Sequence, residues 1–246
     1  MLKLMARGEM NDGQHWHRYF RTTFIRHFER TLEALERRIL PAFANIEAEA
    51  TEIQRSNYNE LMSRSGNPNV DPFSAGEAAA EAATEAGYDH YSGMDAVRQA
   101  LLNSYGAILY HAWEQQLLAF HRSNVLHPRE QDDHRLLNLK IVQVRLQNLG
   151  IDIAALPAWT TLDELRLLAN AVKHADGASA ETLKAMRPEL FEAPTLEGLG
   201  LEIPYTRRVF KPLSGEDIYL TLDDLRRYGR SVIGFWEQLA EVLEKV

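Results

Sequence analysis

Arg166, Asn170, Lys173 and His174 are side chains of the types that handle phosphate esters, and all four fall within Glu164–Gly177. A histidine can take the proton of a ribose 2′-hydroxyl or return one to a leaving oxygen. Arginine or lysine stabilises the extra charge on phosphate in the transition state. An amide can orient the imidazole or hold a phosphate oxygen. Together these types suit metal-independent cleavage of RNA. Arg166 to Asn170 and Asn170 to His174 are both four-residue steps, so on a helix they stack along one flank. Leu165, Leu168 and Val172 form the apolar face. The structural alternative is a basic helix end, where cations favour the negative end of the dipole and bond its free carbonyls.

Other polar groupings carry weaker signals. His15-Trp16-His17 places two imidazoles at i and i+2, which do not face each other on a helix. His121, His127 and His134 with Asp132 and Asp133 could converge on a metal; as solvated loop groups they would not. Tyr88-Asp89-His90-Tyr91 could stack on a base or nucleotide, or serve as a staple and cap before a helix. Trp113-Glu114 and Trp236-Glu237 read as core tryptophans, each followed by a partly exposed carboxylate. Glu114 turned toward Arg166 or His174 would alter that reading. No phosphate-cradling glycine loop, nucleophile elbow or His-Glu-x-x-His occurs, which removes the common ATPases, α/β-hydrolases and zincins. With no cysteine, thiolate catalysis, disulfides and thiolate metal sites are excluded. No cofactor is expected.

The elements that must position these residues are helical. From His15 to about Met62, Phe20, Phe24, Phe28, Leu32, Leu35, Ile39, Phe43, Ile46 and Ile53 make one apolar stripe, divided at Pro41. Residues 63–72 form a break. A short exposed Ala- and Glu-rich helix is expected over 74–87, and a second strong helix over 94–123, capped by Ser92. Its expected buried stripe is Val97, Leu101, Tyr105, Ile108, Leu109, Trp113, Leu117 and Phe120. A third helix is expected over 128–149, stopped by Gly150. A fourth is opened by a Thr161/Glu164 capping box and runs to His174; a short helix covers 179–186. Residues 189–221 turn to Pro, Gly and β-formers. Asp217–Thr221, across a Ser214-Gly215 turn from Val209-Phe210, predicts a small β-hairpin. Thr221 or Asp223 caps the last helix. The reading is an all-α antiparallel helical bundle with a small β-hairpin insertion before the C-terminal helix, a single domain over 1–246. Within it, 63–90 is a candidate mobile segment and about 189–221 the β-containing insertion.

Composition fits this. The chain has 246 residues, 45% hydrophobic and 25% charged, with net charge −8, which argues against a nucleic-acid coat but allows a local basic site. No secretory leader and no run of about 18 apolar residues is seen, so a cytoplasmic protein without membrane association is expected.

Asn170-Ala171-Val172-Lys173-His174 resembles the core of the Arg-Asn-x-x-x-His motif of HEPN-domain proteins, a helical and usually dimeric family rich in ribonuclease toxins and antiviral effectors. The resemblance covers about ten residues and the helical layout. Asn170 and His174 match the motif, whereas its arginine position holds Ala169; Arg166 or Lys173 would have to replace that charge. The resemblance implies a homo-oligomer with a composite, metal-independent endoribonuclease site in a prokaryotic defence or toxin–antitoxin system. His174 would act with Arg166 and Lys173 on phosphate and Asn170 in an orienting role. The alternative it implies is a non-catalytic module that binds a protein partner from the same operon, a nucleotide or RNA.

Overall fold

The computed structural model describes residues 14–64, 71–192, 213 and 217–245. It is an all-α helical bundle. The helices are α1 (His15–Phe20), α2 (Arg26–Ala34), α3 (Ile46–Arg64), α4 (Pro72–Phe120), α5 (Leu139–Gln147), α6 (Trp159–His174), α7 (Ala178–Met186) and α8 (Leu222–Leu243). The chain gathers into two compact units, Ala34–Leu101 and Met1–Glu33 with Leu102–Val246.

A π-helical turn, Arg21–Ile25, joins α1 to α2. Its cause is legible in the spacing. Phe20, Phe24, Phe28 and Leu32 repeat every four residues, and on a 3.6-residue helix that row drifts about 40° per step. A π turn adds a residue and brings the row back to one face. Phe20, Phe24 and Phe28 are accordingly buried. Phe20 and Phe24 pack on Trp236 of α8, with ring centroids 4.9 and 4.5 Å away. Trp113 of α4 meets Phe235 at 5.1 Å and Trp159 at 6.0 Å. These aromatics form the centre of the larger unit.

In the smaller unit, α3 and α4 pair antiparallel. Gln54 Nε2 donates to Thr84 Oγ1 at 3.1 Å, and His90 Nε2 meets Glu49 Oε2 at 3.1 Å. A Cβ on Gly87 would lie 2.9 Å from the Ala50 carbonyl oxygen, so this glycine serves close helix approach rather than a turn.

Several boundaries differ from the sequence reading. The two helices expected over 74–87 and 94–123 are one, α4, so Ser92 and Tyr88–Tyr91 lie inside it. Its start was written as Asp71-Pro72: Asp71 accepts the Ser74 N–H at 3.1 Å, and proline suits the first helical position. Val97, Leu101 and Ile108, expected in the core, are exposed. The helix expected over 128–149 shortens to α5, because Asp133 and Asn138 side chains take the backbone N–H groups of Arg135 and Ile141, an alternative to helix hydrogen bonding. Gly150, with φ +82°, ends α5. The Ile151 N–H reaches the Leu146 carbonyl and the Gly150 N–H that of Gln147, a Schellman closure. The Thr161/Glu164 capping box does not form, since α6 already begins at Trp159. The one at Thr221, with Asp224 as its reciprocal partner, does form and opens α8.

The β-hairpin is also corrected. Among the described residues there is no strand; 217–220 run as irregular chain, with the Tyr219 N–H donating to the Leu190 carbonyl at 2.8 Å. The other expected arm and the turn, within 193–212 and 214–216, lie outside the described residues. No helix among the described residues is long and apolar enough to cross a membrane.

Candidate functional site

α6 is built as its pattern predicts. Leu165 and Leu168 are fully buried and Val172 is half-buried. The opposite flank carries the four candidate groups, and the structure holds them apart. Arg166 donates from Nε to Asp163 Oδ1 at 2.7 Å, a pair within one turn of the helix. Asn170 is half-buried and donates to Ser179 Oγ of α7 at 3.4 Å, so its amide ties two helices. Lys173 and His174 are exposed at the helix end, and no side-chain hydrogen bond or ion pair joins either to another described residue. Eight residues separate Arg166 from His174, about 12 Å along the axis. Ala169, at the motif's arginine position, is 0% exposed. An arginine there would enter the core rather than stand beside His174.

The helix ends abruptly after His174. Ala175 has φ 57° and ψ −129°, a conformation that costs a residue with a Cβ of order 1–3 kcal/mol. Its N–H still bonds the Ala171 carbonyl at 2.9 Å. The backbone therefore turns sharply and leaves Lys173 and His174 at the edge of the α6–α7 corner.

Two further polar clusters occur, and the first escapes spacing arguments because its members come from distant positions. The first surrounds Glu164, which the sequence suggested as a cap. Glu164 is 8% exposed. It accepts from Arg187 Nη1 at 2.6 Å, Arg227 Nη2 at 2.5 Å and Tyr228 Oη at 2.6 Å. Arg187 also donates to Asp224 at 2.7 Å and to Glu189. The cluster ties α6, the turn after α7 and α8. Burial pushes the Glu164 carboxyl up, but hydrogen bonds from Arg227 and Tyr228 and the charges of both arginines outweigh it and hold it below the ordinary range. Asp224 is likewise raised by burial and more strongly lowered by Arg187 and Thr221. Burial and then Glu164 push the Tyr228 phenol far up. Every charge here has an opposite partner, which marks a structural clamp rather than a reactive site.

The second cluster lies on α4. Tyr110 donates to Glu114 Oε1 at 3.1 Å, and His111 Nδ1 stands 3.7 Å from Glu114 Oε2. Burial and Glu114 push the Tyr110 phenol up; the charge of Arg166 opposes them. Among the described residues the polar contacts of Glu114 are to Tyr110 and His111 on its own helix, and those of Arg166 to Asp163. Trp113 and Trp236 are core anchors, 1% and 0% exposed.

The remaining histidines disperse. His17 Nε2 pairs with Glu244 at 3.6 Å. His121 is fully buried, and both ring nitrogens lack a hydrogen-bond partner among the described residues. Burial first, then Arg145, hold its pKa down to about 4, against a smaller pull from Glu130. His127 Nδ1 accepts the Arg129 N–H at 3.2 Å, Asp132 binds Arg122 at 2.9 Å and Asp133 binds Arg135 at 2.8 Å. Among the described residues no group of three or more metal-ligating side chains converges. A cleft of about 80 Å³ between His17, Phe20, Arg21, Ile25, Trp236 and Glu237 is well below the roughly 300–1,000 Å³ of small-molecule sites.

No family model, no curated protein and no solved structure matches the chain.

Proposed function

We propose that the chain is a HEPN-like helical protein of a prokaryotic conflict system, phage defence or a toxin–antitoxin pair, that acts as a non-catalytic interaction module. The carrying observation is the buried Ala169. The motif's arginine is replaced by a core residue, and Arg166 is two turns away and neutralised by Asp163. What remains at the helix end is an exposed lysine and histidine beside an amide, a surface suited to gripping a protein partner, a nucleotide or RNA through charge and hydrogen bonds. A protein encoded in the same operon is the expected partner, and the family resemblance makes a homo-oligomer the expected state. Co-purification with the products of adjacent genes tests this reading. A complex weakened by Lys173→Glu with His174→Glu is expected. RNA cleavage by the wild type that His174→Ala abolishes would overturn it.

A second reading is favoured by one specific fact: Lys173 and His174 are exposed, and their side chains have no bonded partner among the described residues. In a homodimer, Arg166 of one copy could approach His174 of the other and form a metal-independent endoribonuclease site. His174 would transfer protons, Arg166 and Lys173 would hold phosphate, and Asn170 would orient. This reading requires Arg166 to leave Asp163, so Asp163→Asn should raise cleavage if it is correct.

A further inference from the structure

The smaller unit, Ala34–Leu101, carries an independent signal. It holds eleven Asp and Glu against five Lys and Arg, a net charge of −6 out of the chain's −8. Glu77, Glu81 and Glu85 stand every four residues on α4, and all are exposed. Like charges at that spacing destabilise a helix. Ion pairs of this unit's described residues include Arg55–Glu52, Arg64–Glu60, Arg98–Asp95 and His90–Glu49, none of which involves the stripe. Among the described residues the stripe is an acidic row with no ion-pair partner.

Apolar side chains stand at the same end of the α3–α4 pair. Phe73, in the first turn of α4, is 73% exposed; Tyr58 and Met62, one turn apart on the last part of α3, are 37% and 38% exposed. Exposed aromatic and methionine side chains next to charge are the composition of interface cores and rims.

We infer that this helical pair docks a basic amphipathic helix of a partner protein. Lysines or arginines spaced one turn apart on that helix meet Glu77, Glu81 and Glu85, whose own one-turn spacing they match. Its apolar face covers Phe73, Tyr58 and Met62. The sign of the charge selects a basic protein and repels nucleic acid phosphate. The inference rests on the interaction-module reading and gives that partner's chemistry.

The test uses the full chain and a fluorescein-labelled peptide of about 18 residues, long enough to form a helix on binding, with lysines on one face and leucines on the other. A peptide of the same composition, scrambled so that no face forms, is the comparison. Anisotropy titrations are expected to show about tenfold tighter binding of the amphipathic peptide. Glu77→Gln with Glu81→Gln and Glu85→Gln is expected to weaken it about tenfold, and Phe73→Ser about fivefold. Glu181→Gln with Glu192→Gln and Glu241→Gln, an equal loss of charge in the larger unit, should change it less than about twofold. Far-UV circular dichroism checks that each variant keeps its helix content. Equal weakening by the control triple, no preference over the scrambled peptide, or no effect of Phe73→Ser overturns the inference. Hydrogen exchange with bound peptide separates the two proposals. Protection at 73–85 supports this site. Protection only at 170–175 overturns it and leaves the interaction-module reading standing. RNA cleavage lost in His174→Ala removes that reading whatever the peptide does.

Discussion

Removing the buried Glu164 carboxylate should strongly destabilise the larger unit. Glu164→Ala deletes the acceptor for three donors, from Arg187, Arg227 and Tyr228. A hydrogen bond to a charged group contributes roughly 1.5–3 kcal/mol, and a buried donor left unsatisfied costs roughly 1–3 kcal/mol. Two corrections reduce the sum. Arg187 keeps Asp224 and Glu189, and the Arg227 side chain, 35% exposed, is rehydrated. The expected net loss is about 3 kcal/mol, at the lower edge of values for breaking a buried ion pair. Glu164→Gln, which keeps an acceptor for Tyr228, should lose about 1–2 kcal/mol. All four tryptophans, Trp16, Trp113, Trp159 and Trp236, lie in the larger unit, so urea unfolding followed by tryptophan fluorescence reports on it alone. A double-mutant cycle with Arg227→Met should show coupling. The pH dependence has a definite sign. Glu164 and Asp224 are both held below their ordinary values, so their contribution is complete above about pH 4 and lost as pH falls through the lower folded values. Glu164→Ala should flatten that acid loss. A loss under about 1 kcal/mol, or strict additivity with Arg227→Met, would show that Glu164 does not hold these three donors together.

Three further outcomes are expected. His121 has its folded pKa lowered to about 4, so its contribution is complete above about pH 6.5 and is lost progressively down to pH 4, by about 3 kcal/mol; urea midpoints at pH 7.5 and 4.5 should diverge more in the wild type than in His121→Leu. Ala175→Gly should stabilise by about 1 kcal/mol, because only glycine adopts φ 57° with ψ −129° without strain, and a raised Tm checks it. Gly87→Ala should weaken the α3–α4 pair by about 1–3 kcal/mol, since its Cβ would press on the Ala50 carbonyl; faster hydrogen exchange over 46–64 is the readout.

The helical class was legible because apolar stripes at helical spacing need a common core, and Phe20, Phe24, Leu165, Leu168 and Phe235 are buried in it. A cap at Thr221 or Asp223 and the stop at Gly150 were legible because they are local chemistry, though the capping box itself, with Asp224, was not read. Continuity of α4 was not, since Gly87 reads as a breaker until its approach to Ala50 is seen. The exposure of Val97, Leu101 and Ile108 was hidden for the same reason: the pattern states that a face is apolar, not that another element covers it. At the candidate site, spacing placed Arg166, Asn170 and His174 on one flank but could not show that Asp163 holds Arg166 or that Ser179 holds Asn170. Glu164 was misassigned as a cap because Arg187, Arg227 and Tyr228 lie 23 to 64 residues away in sequence.

Incubation of the purified wild type with RNA, alone and with the proposed operon partner, beside Arg166→Ala and His174→Ala, separates an interaction module from a ribonuclease. No cleavage above background is expected from any of the three, with binding to the proposed partner intact in the wild type. Metal-independent cleavage by the wild type that either substitution abolishes would contradict the interaction-module reading.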